Sequence, residues 1–268
     1  DFNAALFRDQ PEEGSPGLDD SQLLERAERV GVTNLKNIER YYPWYYTKDI
    51  RFSISSYAVY TRKLLGDPDL SKGQKLLRDY GAIDKAPMEA LGWLLGAFAQ
   101  QKGVEAERKQ LVRHAMNKVS ETAGAANFTT SYGDGAYLML ASDRRVDSVM
   151  LESLIQEQKD LDLIPKIVTG LLAHRKRGRW LNTQENTFAL LAMDRYFQTY
   201  EKTTPDFVAR VWLGNDYAGD HAFKGRSTDY FAISIPMKDV AAHDKQALTI
   251  QKDGAGRLYY RIGMNYAP

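Results

Sequence analysis

The chain has 268 residues, of which 43% are hydrophobic and 26% are charged, and its 36 basic residues nearly balance 35 acidic ones. This composition is typical of a folded globular protein and excludes a disordered chain. The net charge of +1 gives no broad positive field, so we expect no nucleic-acid partner. The absence of cysteine from the sequence excludes disulfides, thiolate metal sites and a cysteine nucleophile.

The first part of the chain favours turns over packed elements. Residues 1–17 contain two prolines and two glycines among acidic residues, a pattern that predicts a linker. Asp19 or Asp20 can cap a first helix that runs through Arg29. The tyrosine-rich stretch 41–46 is expected to form a loop, because its proline disfavours a helical conformation for the residue before it. Since the sequence starts without methionine, we expect a fragment of a longer protein, and no apolar run is long enough to span a membrane.

A hydrophobic period of three to four residues dominates the chain from residue 53 onward and predicts a succession of helices. The first of them ends at the stop signal Gly66-Asp67-Pro68. The helices expected after it cover residues 88–98, 111–119, 133–142, 146–154 and 163–172. Short polar or glycine-containing breaks separate them without a strand pattern, so neighbouring helices are expected to pack antiparallel.

A further helix, which starts near Asn182, differs from the others in its hydrophobic pattern. Residues 188–193 are apolar on all sides of the helix, whereas the preceding helices carry an apolar stripe. This pattern predicts an inner helix that is buried all round and shielded by outer, striped helices. The expected architecture is therefore a mainly α protein with concentric helical layers.

After residue 200 the hydrophobic period changes from about 3.6 to about two, which predicts strands. The expected strands are 207–213, 230–235, 248–251 and 257–264, and the last two are expected to form a hairpin through a turn at 253–256. The predicted boundary divides a helical domain, 1–203, from a β-rich segment, 204–268. About sixty residues are close to the lower limit for an independent core.

The residues that could carry chemistry form no established catalytic pattern. The four histidines, His114, His174, His221 and His243, lack metal-ligand spacing, so no metal is expected. The basic run 174–179 is interpreted as a helix C-terminus with Gly178 as its cap, in preference to a phosphate site. The carboxylate pairs Asp67/Asp69 and Asp160/Asp162 fall at helix boundaries, where aspartate caps and turns are expected.

The start of the apolar helix is the most informative motif in the sequence. It contains Trp180, Asn182, Thr183, Gln184 and Glu185, which we call the helix-start motif. Asn182 or Thr183 can cap the helix, and Glu185 can accept backbone donors in its first turn. The segment resembles the Ser-Thr-Gln-Asp-Thr-x-x-Ala-Leu helix start of the thioester domain in α2-macroglobulins and complement proteins. The Trp-x-x-Thr-Gln form is similar to that of bacterial α2-macroglobulin-like proteins.

The order of elements extends this resemblance over most of residues 50–268. The succession of helices resembles the later part of an α/α toroid, and the β-segment ending at 258–268 is similar to the CUB-type domain that follows it in bacterial members. The resemblance therefore implies a partial α/α toroid in 1–203 and a partial, small antiparallel CUB-type domain in 204–268.

The resemblance also implies a function for the longer protein. It implies an extracytoplasmic protein, periplasmic or membrane-anchored, that traps proteases after cleavage of a bait segment, with proteases and other domains of the same chain as partners. It implies no enzyme activity and no cofactor. No thioester residue is assigned, because the sequence has no cysteine and Gln184-Glu185 reverses the end of the family's Cys-x-Glu-Gln motif.

Two alternatives remain open from the sequence. A toroidal enzyme acting on glycans or isoprenoids would require acidic residues that converge in one cavity. A helical protein-interaction scaffold would show an exposed groove instead of a closed double layer.

Overall fold

The computed structural model describes residues 20–122, 124–225, 230–241 and 245–264, with side chains from residue 28 onward. The expected linker 1–17 and the proposed cap Asp19 lie outside these residues. The chain divides into two compact units, Asp1–Arg195 and Tyr196–Pro268. The domain assignment made from the sequence, with its boundary after residue 203, stays a prediction.

The first unit is built from helices and one short hairpin. Its helices are α1 Asp20–Lys36, α2 Lys48–Leu64, α3 Leu70–Tyr80, α4 Met88–Phe98, α5 Glu105–Met116, α6 Asp143–Glu157, α7 Leu163–Ala173 and α8 Thr183–Tyr200, the last of which continues into the second unit. The hairpin strands are β1 Val119–Glu121 and β2 Ala126–Phe128, paired antiparallel. Short 3-10 turns lie at Ile38–Tyr41, Ile83–Lys85 and Ala136–Met139.

Helices α2, α4 and α6 form the inner layer of this unit, because α4 packs against both α2 and α6. Helix α3 packs against α2 and α4, α5 against α4, and α7 against α6, so these three form the outer layer. One buried cluster joins α8 to the inner layer and consists of Val59, Tyr60, Trp93, Ala97, Val149 and Phe188. The alternation of inner and outer helices confirms the mainly α, toroid-type fold.

The prediction that residues 188–193 are buried on all sides is wrong. Phe188 is 9% exposed and Ala192 is fully buried, but Leu190 is 63% and Leu191 52% exposed. The buried residues of α8 recur at a helical spacing, so this helix has a stripe with two leucines on the opposite face. Helix α4 is instead buried at every residue, and a Cβ on its Gly96 would lie 2.8 Å from Ser153 Oγ of α6.

Helix positions otherwise follow the sequence pattern, with differences at the ends. Helix α1 continues to Lys36 instead of ending at Arg29. Helix α2 begins at Lys48, before residue 53, because the Thr47 hydroxyl accepts a bond from Ile50 N at 3.4 Å. Helix α3 was missed, although Asp69 caps it by accepting from Lys72 N at 3.0 Å.

Two expectations between α5 and α6 are wrong. The β1–β2 hairpin interrupts the series of helices, where no strand was expected. The expected helix at 133–142 is only the 3-10 turn Ala136–Met139, flanked by positive φ angles of 86° at Gly135 and 51° at Leu140. Such angles cannot continue a right-handed helix, so the glycine-containing sequence forms a loop.

The second unit contains one antiparallel sheet in the order β4–β3–β5. Its strands are β3 Asp206–Leu213, β4 Asp216–Lys224 and β5 Leu248–Ala255. The described residues of this unit contain no further strand. A four-residue helix, α9, spans Met237–Val240. Strand β3 is confirmed and β4 was missed, although the Gly214-Asn215 pair between them is a hairpin signal.

Three expectations for the β-segment are wrong. Residues 230–235 and 257–264 form no strand among the described residues, and the expected turn at 253–256 lies largely within β5. Gly254 has a φ of 120°, and a Cβ there would lie 2.3 Å from Asp206 O of β3. The glycine therefore marks a close approach between paired strands, which the sequence pattern cannot distinguish from a turn.

Candidate functional site

The structure places the helix-start motif at the junction of α7 and α8. Asn182 is the capping residue, since its Oδ1 accepts a bond from Glu185 N at 2.9 Å. The buried Glu185 carboxylate reaches back and accepts from Leu181 N at 2.8 Å. Thr183 is the first residue of the helix and is exposed. The two side-chain acceptors thus satisfy donors that the first turn leaves free.

Trp180 fixes the chain that leads into α8. Its indole Nε1 donates to Leu171 O of α7 at 3.0 Å, and its ring is buried. Asn186 holds the same residue from the other side: its Oδ1 accepts from Trp180 N and its Nδ2 donates to Trp180 O, each at 3.1 Å. The motif therefore locks the last turn of one helix to the first turn of the next.

The basic run 174–179 lies in this junction, and the role expected for its glycine is wrong. Helix α7 ends at Ala173, where His174 Nδ1 lies 2.8 Å from Gly170 O. Gly178 instead belongs to a tight turn with Arg177, with φ angles of 80° and 53°, closed by a bridge between residues 176 and 179. The turn leaves the basic side chains exposed.

Gln184 connects the motif to a buried ion pair. Its Oε1 lies 3.5 Å from Arg145 Nη1, in the first turn of α6. Arg145 donates through Nε and Nη2 to Glu89 Oε2 of α4, at 2.9 and 2.6 Å, and through Nη1 to Met139 O. The two charged side chains are only 3% and 5% exposed. Burial raises the pKa of the Glu89 carboxyl, and the Arg145 guanidinium opposes that rise.

This ion pair lies where the N-termini of the inner helices converge. The first turns of α2, α4 and α6, together with residues 130–141, line one small cavity beside it. Helix dipoles favour negative charge at such ends, and Asp49, Glu89, Asp143 and Glu185 lie in the first turns of the four helices. We call this region the N-terminal face.

Sequence reasoning missed the Glu89–Arg145 pair. Glu89 stands alone in the otherwise apolar and Gly-containing α4 sequence, and this isolation was the available signal. A charged residue inside an all-buried helix requires a partner. The identity of the partner, 56 positions away, depends on the tertiary fold.

The other carboxylate pairs do not converge on this face. Asp67 and Asp69 both bind Arg62, at 2.8 and 2.7 Å. Asp160 and Asp162 are exposed in the α6–α7 connection. Within the described ranges no group of three or more potential metal ligands occurs, and no helix there is long and apolar enough to cross a membrane. His243 lies outside the described residues.

The comparisons with known proteins agree with the resemblance found in the sequence. No family model matches the chain. The chain is 32% identical to "Alpha-2-macroglobulin homolog" from Nostoc sp. over 60% of its length, but it spans only 8% of that relative. It is also 23% identical to "Circularly permutated Ras protein 2" from Dictyostelium discoideum over 67% of the chain and 6% of that protein. The Gly-Lys-Ser/Thr of a phosphate-binding loop does not occur in the sequence.

Two solved structures share the fold. "Escherichia coli alpha-2-macroglobulin activated by porcine elastase" matches with a TM-score of 0.50 and 18% identity, over 79% of this chain and 17% of its own. "Crystal structure of Salmonella alpha-2-macroglobulin reacted with methylamine" matches with a TM-score of 0.52 and 15% identity, over 78% of this chain and 12% of its own. The sequence similarity and the shared fold together identify the chain as an alpha-2-macroglobulin-like protein, with a mainly α, toroid-type part and a small antiparallel β part.

Proposed function

We propose that this chain is a structural part of a bacterial α2-macroglobulin-like protease trap. It provides part of a thioester-type helical domain, followed by part of a CUB-type β domain. Proteases and other domains of the same protein are its partners, on the extracytoplasmic side of the membrane. The observation that carries this proposal is the 32% identity to the Nostoc homologue over 60% of the chain.

The chemistry of the N-terminal face supports a structural role. A thioester requires a cysteine, which this sequence lacks. Two carboxylates of the face have partners there: Glu89 binds Arg145, and Asp143 accepts from the hydroxyl groups of Thr130 and Tyr132. Although partial burial opposes them, these two bonds keep the pKa of the Asp143 carboxyl below its usual value. Such pairing supports a role in positioning the helices.

The helix-start motif has a defined part in this proposal. Trp180, Asn182, Glu185 and Asn186 hold the α7–α8 junction, while Gln184 reaches the ion pair that joins α4 to α6. Thr183 supplies the first helical residue. We therefore assign the motif to helix positioning, with no catalytic residue.

Protease trapping is tested on the full-length protein that contains this chain. After incubation with elastase, we expect the protease to co-elute with it in size-exclusion chromatography. The trapped elastase should lose activity on a large protein substrate and keep activity on a short peptide substrate. Elastase with a covalently blocked active site is the matched control, because a trap set by cleavage cannot capture it.

Elastase that keeps its activity on the large protein substrate as well as on the peptide, with no co-elution, would contradict the proposal. The enzyme alternative predicts a different result. Hydrolysis of a glycan by the purified chain that is lost in Asp160→Asn would favour an enzyme over a protease trap.

A further inference from the structure

The N-terminal face of the helical unit exposes large apolar side chains. They lie on the loops that lead into α2, α6 and α8, which are residues 42–47, 129–142 and 174–182. Trp44 is 90% exposed and Leu181 is 88% exposed. Clustered apolar side chains in contact with solvent are typical of a binding surface. The exposed members, which we call the apolar rim, are Trp44, Tyr45, Tyr137, Leu138, Leu140 and Leu181.

Contacts between the loops place the apolar rim on one surface. The Thr47 hydroxyl donates to Asp134 O at 3.5 Å, so the loops before α2 and α6 adjoin. In the first turn of α6, Arg144 Nη1 lies 2.7 Å from His174 Nδ1, so the loops before α6 and α8 adjoin as well. The three loops therefore form one surface around the N-termini of these helices.

Trp44 is exposed although its loop is held in place. Arg51 of α2 donates to Trp44 O at 3.4 Å and to Tyr46 O at 2.9 Å. The indole ring makes an edge contact with the ring of Tyr45, at 5.7 Å between centroids. Because the backbone is bonded to α2, the exposure of the ring belongs to the folded loop. This arrangement favours a binding role for Trp44.

The loop before α8 adds positive charge to the same surface. Its tight turn carries four exposed basic side chains, and none of them forms an ion pair with a described residue. The helix cap that the sequence suggested for this run is not formed, so capping does not account for these charges. The four residues, which we call the basic turn, are Arg175, Lys176, Arg177 and Arg179.

The three loops are net positive, although the whole chain is nearly neutral. Against the four residues of the basic turn they contain a single acidic residue, Asp134. The residues that follow the loops balance each other, since Lys48 is next to Asp49 and Asp143 is next to Arg144. A chain with a net charge of +1 attracts a polyanion only through such a local patch.

This combination of side chains selects the kind of partner. Tryptophan and tyrosine are enriched where a membrane meets water, and neighbouring basic residues attract anionic headgroups. A peptide partner uses a groove or a free strand edge. The loops contain no strand, and the cavity at this face, with a volume of about 30 Å³, is too small for a partner's side chain.

We propose that the N-terminal face binds the surface of an anionic phospholipid bilayer. The basic turn contacts the headgroup phosphates, and the apolar rim lies at the level of the headgroups. The proposal goes beyond protease trapping and does not rest on it. Its test uses vesicles and no protease, so its failure and a failure of trapping are separate results.

The test is co-sedimentation of the full chain with two kinds of vesicle. One kind is pure phosphatidylcholine, and the other contains about 30% phosphatidylglycerol. We expect saturable binding to the anionic vesicles alone, weakened by added salt because the attraction is screened. Binding to neither kind, or equal binding to both, would overturn the proposal.

Tryptophan emission tests whether the apolar rim enters the bilayer surface. Trp93 and Trp180 are buried and Trp212 is half-buried, so a change of environment on binding affects Trp44 most. We expect a shift of the emission to shorter wavelength with anionic vesicles, and no shift in Trp44→Ala. A shift of the same size in Trp44→Ala would contradict the assigned position of the ring.

A double variant tests the basic turn. Lys176→Gln/Arg177→Gln removes two charges and should weaken vesicle binding about 30-fold. The matched control is Lys102→Gln/Lys109→Gln, since both lysines are exposed, Lys102 follows the C-terminal end of α4 and Lys109 lies on α5. The control should bind as the unmodified chain does. Equal affinity of the Lys176/Arg177 variant and its control would overturn the proposal.

A second pair of variants tests the apolar rim. Trp44→Ala should weaken binding about tenfold, because the ring no longer leaves water on the bilayer. Leu64→Ala is the control, because it removes an exposed apolar side chain at the C-terminal end of α2. These side chains are exposed, so the variants should fold. Unchanged affinity in Trp44→Ala would contradict the proposal.

Two further measurements separate a bilayer from other partners. Polyglutamate carries negative charge without a bilayer, and it should bind more weakly than the anionic vesicles and cause no emission shift. Binding of polyglutamate as tight as that of the vesicles would assign the face to an acidic protein segment instead. The full-length protein should bind the anionic vesicles with the same dependence on the basic turn. If it does not, another domain covers the face and the proposal is wrong.

Discussion

The two ends of the inner helices are held together by different interactions. At the N-terminal face, the Glu89–Arg145 pair joins α4 to α6. At the opposite end, Lys63 in the last turn of α2 donates to Gly96 O of α4 and to Ala99 O just after this helix, at 2.6 and 3.2 Å. The carboxylates lie at helix N-termini and this ammonium lies at a C-terminus, as the helix dipoles favour.

The C-terminal end also has its own side-chain network. Tyr60 OH donates to Glu152 Oε1 at 2.6 Å, and Arg195 Nη2 lies 3.4 Å from the same oxygen. Its charges are less buried than the Glu89–Arg145 pair: Arg195 is 39% exposed, whereas Arg145 is 3% exposed. The comparison indicates that the N-terminal face depends on complete pairing, while solvent can partly replace a lost partner at the other end.

The largest expected effect comes from breaking the pair at the N-terminal face. Arg145→Met leaves the Glu89 charge buried without its partner, and should lower the free energy of unfolding by about 3–5 kcal/mol. Urea unfolding followed by circular dichroism measures this loss. The double variant Glu89→Leu/Arg145→Met removes both charges and should recover most of it. A double variant no more stable than Arg145→Met would show that the pair's charges are not what couples the helices.

At the other end, Lys63→Met should have an intermediate effect. It leaves the carbonyls of Gly96 and Ala99 without their charged donor, which costs about 2 kcal/mol. The same urea experiment measures it. Lys75→Met is the control, because Lys75 forms an exposed ion pair with Asp79 and should change little. A loss at Lys63 as large as that at Arg145 would remove the difference between the two ends.

The cap of α8 should have a smaller effect. Asn182→Ala removes the acceptor for Glu185 N and should cost about 1 kcal/mol in urea unfolding. Thr183→Ala is the matched control, because the exposed Thr183 side chain is not the cap in this structure. A larger loss of stability for Thr183→Ala than for Asn182→Ala would show that Asn182 is not the cap.

The sequence pattern predicted helices where apolar residues recur in a stripe, as in α6 and α7. The pattern could not show which apolar helix is buried on all sides. Residues 188–193 and the α4 sequence are both rich in apolar residues, but of these two only α4 is covered on every side. Coverage depends on which helices pack nearby, and one sequence does not contain that information.

The sequence predicted only part of the candidate site, because the rest also depends on which helices pack together. The helix-start motif is local, so its residues could be named from spacing. The choice between Asn182 and Thr183 as the cap required coordinates. The Glu89–Arg145 pair and the cavity beside it join segments that are distant in sequence, and no local pattern predicts them.

The smallest expected effect is a pH dependence that belongs to the C-terminal end alone. Burial lowers the pKa of Lys63 below the usual lysine value, and the charge of Arg195 adds to this shift, against the attraction of Glu152. Between the lowered pKa and the usual one, the unfolded chain binds more protons than the folded chain. The stability should therefore rise with pH in this window, which lies below about pH 10.

Lys63→Met should flatten that rise, and Lys75→Met should not. Urea midpoints measured from about pH 8 to pH 9.5 compare the three proteins below the range in which tyrosines titrate. A slope that is unchanged in Lys63→Met would mean that the Lys63 ammonium is as well solvated in the folded chain as in the unfolded one, so the two ends would not differ in burial of charge as described.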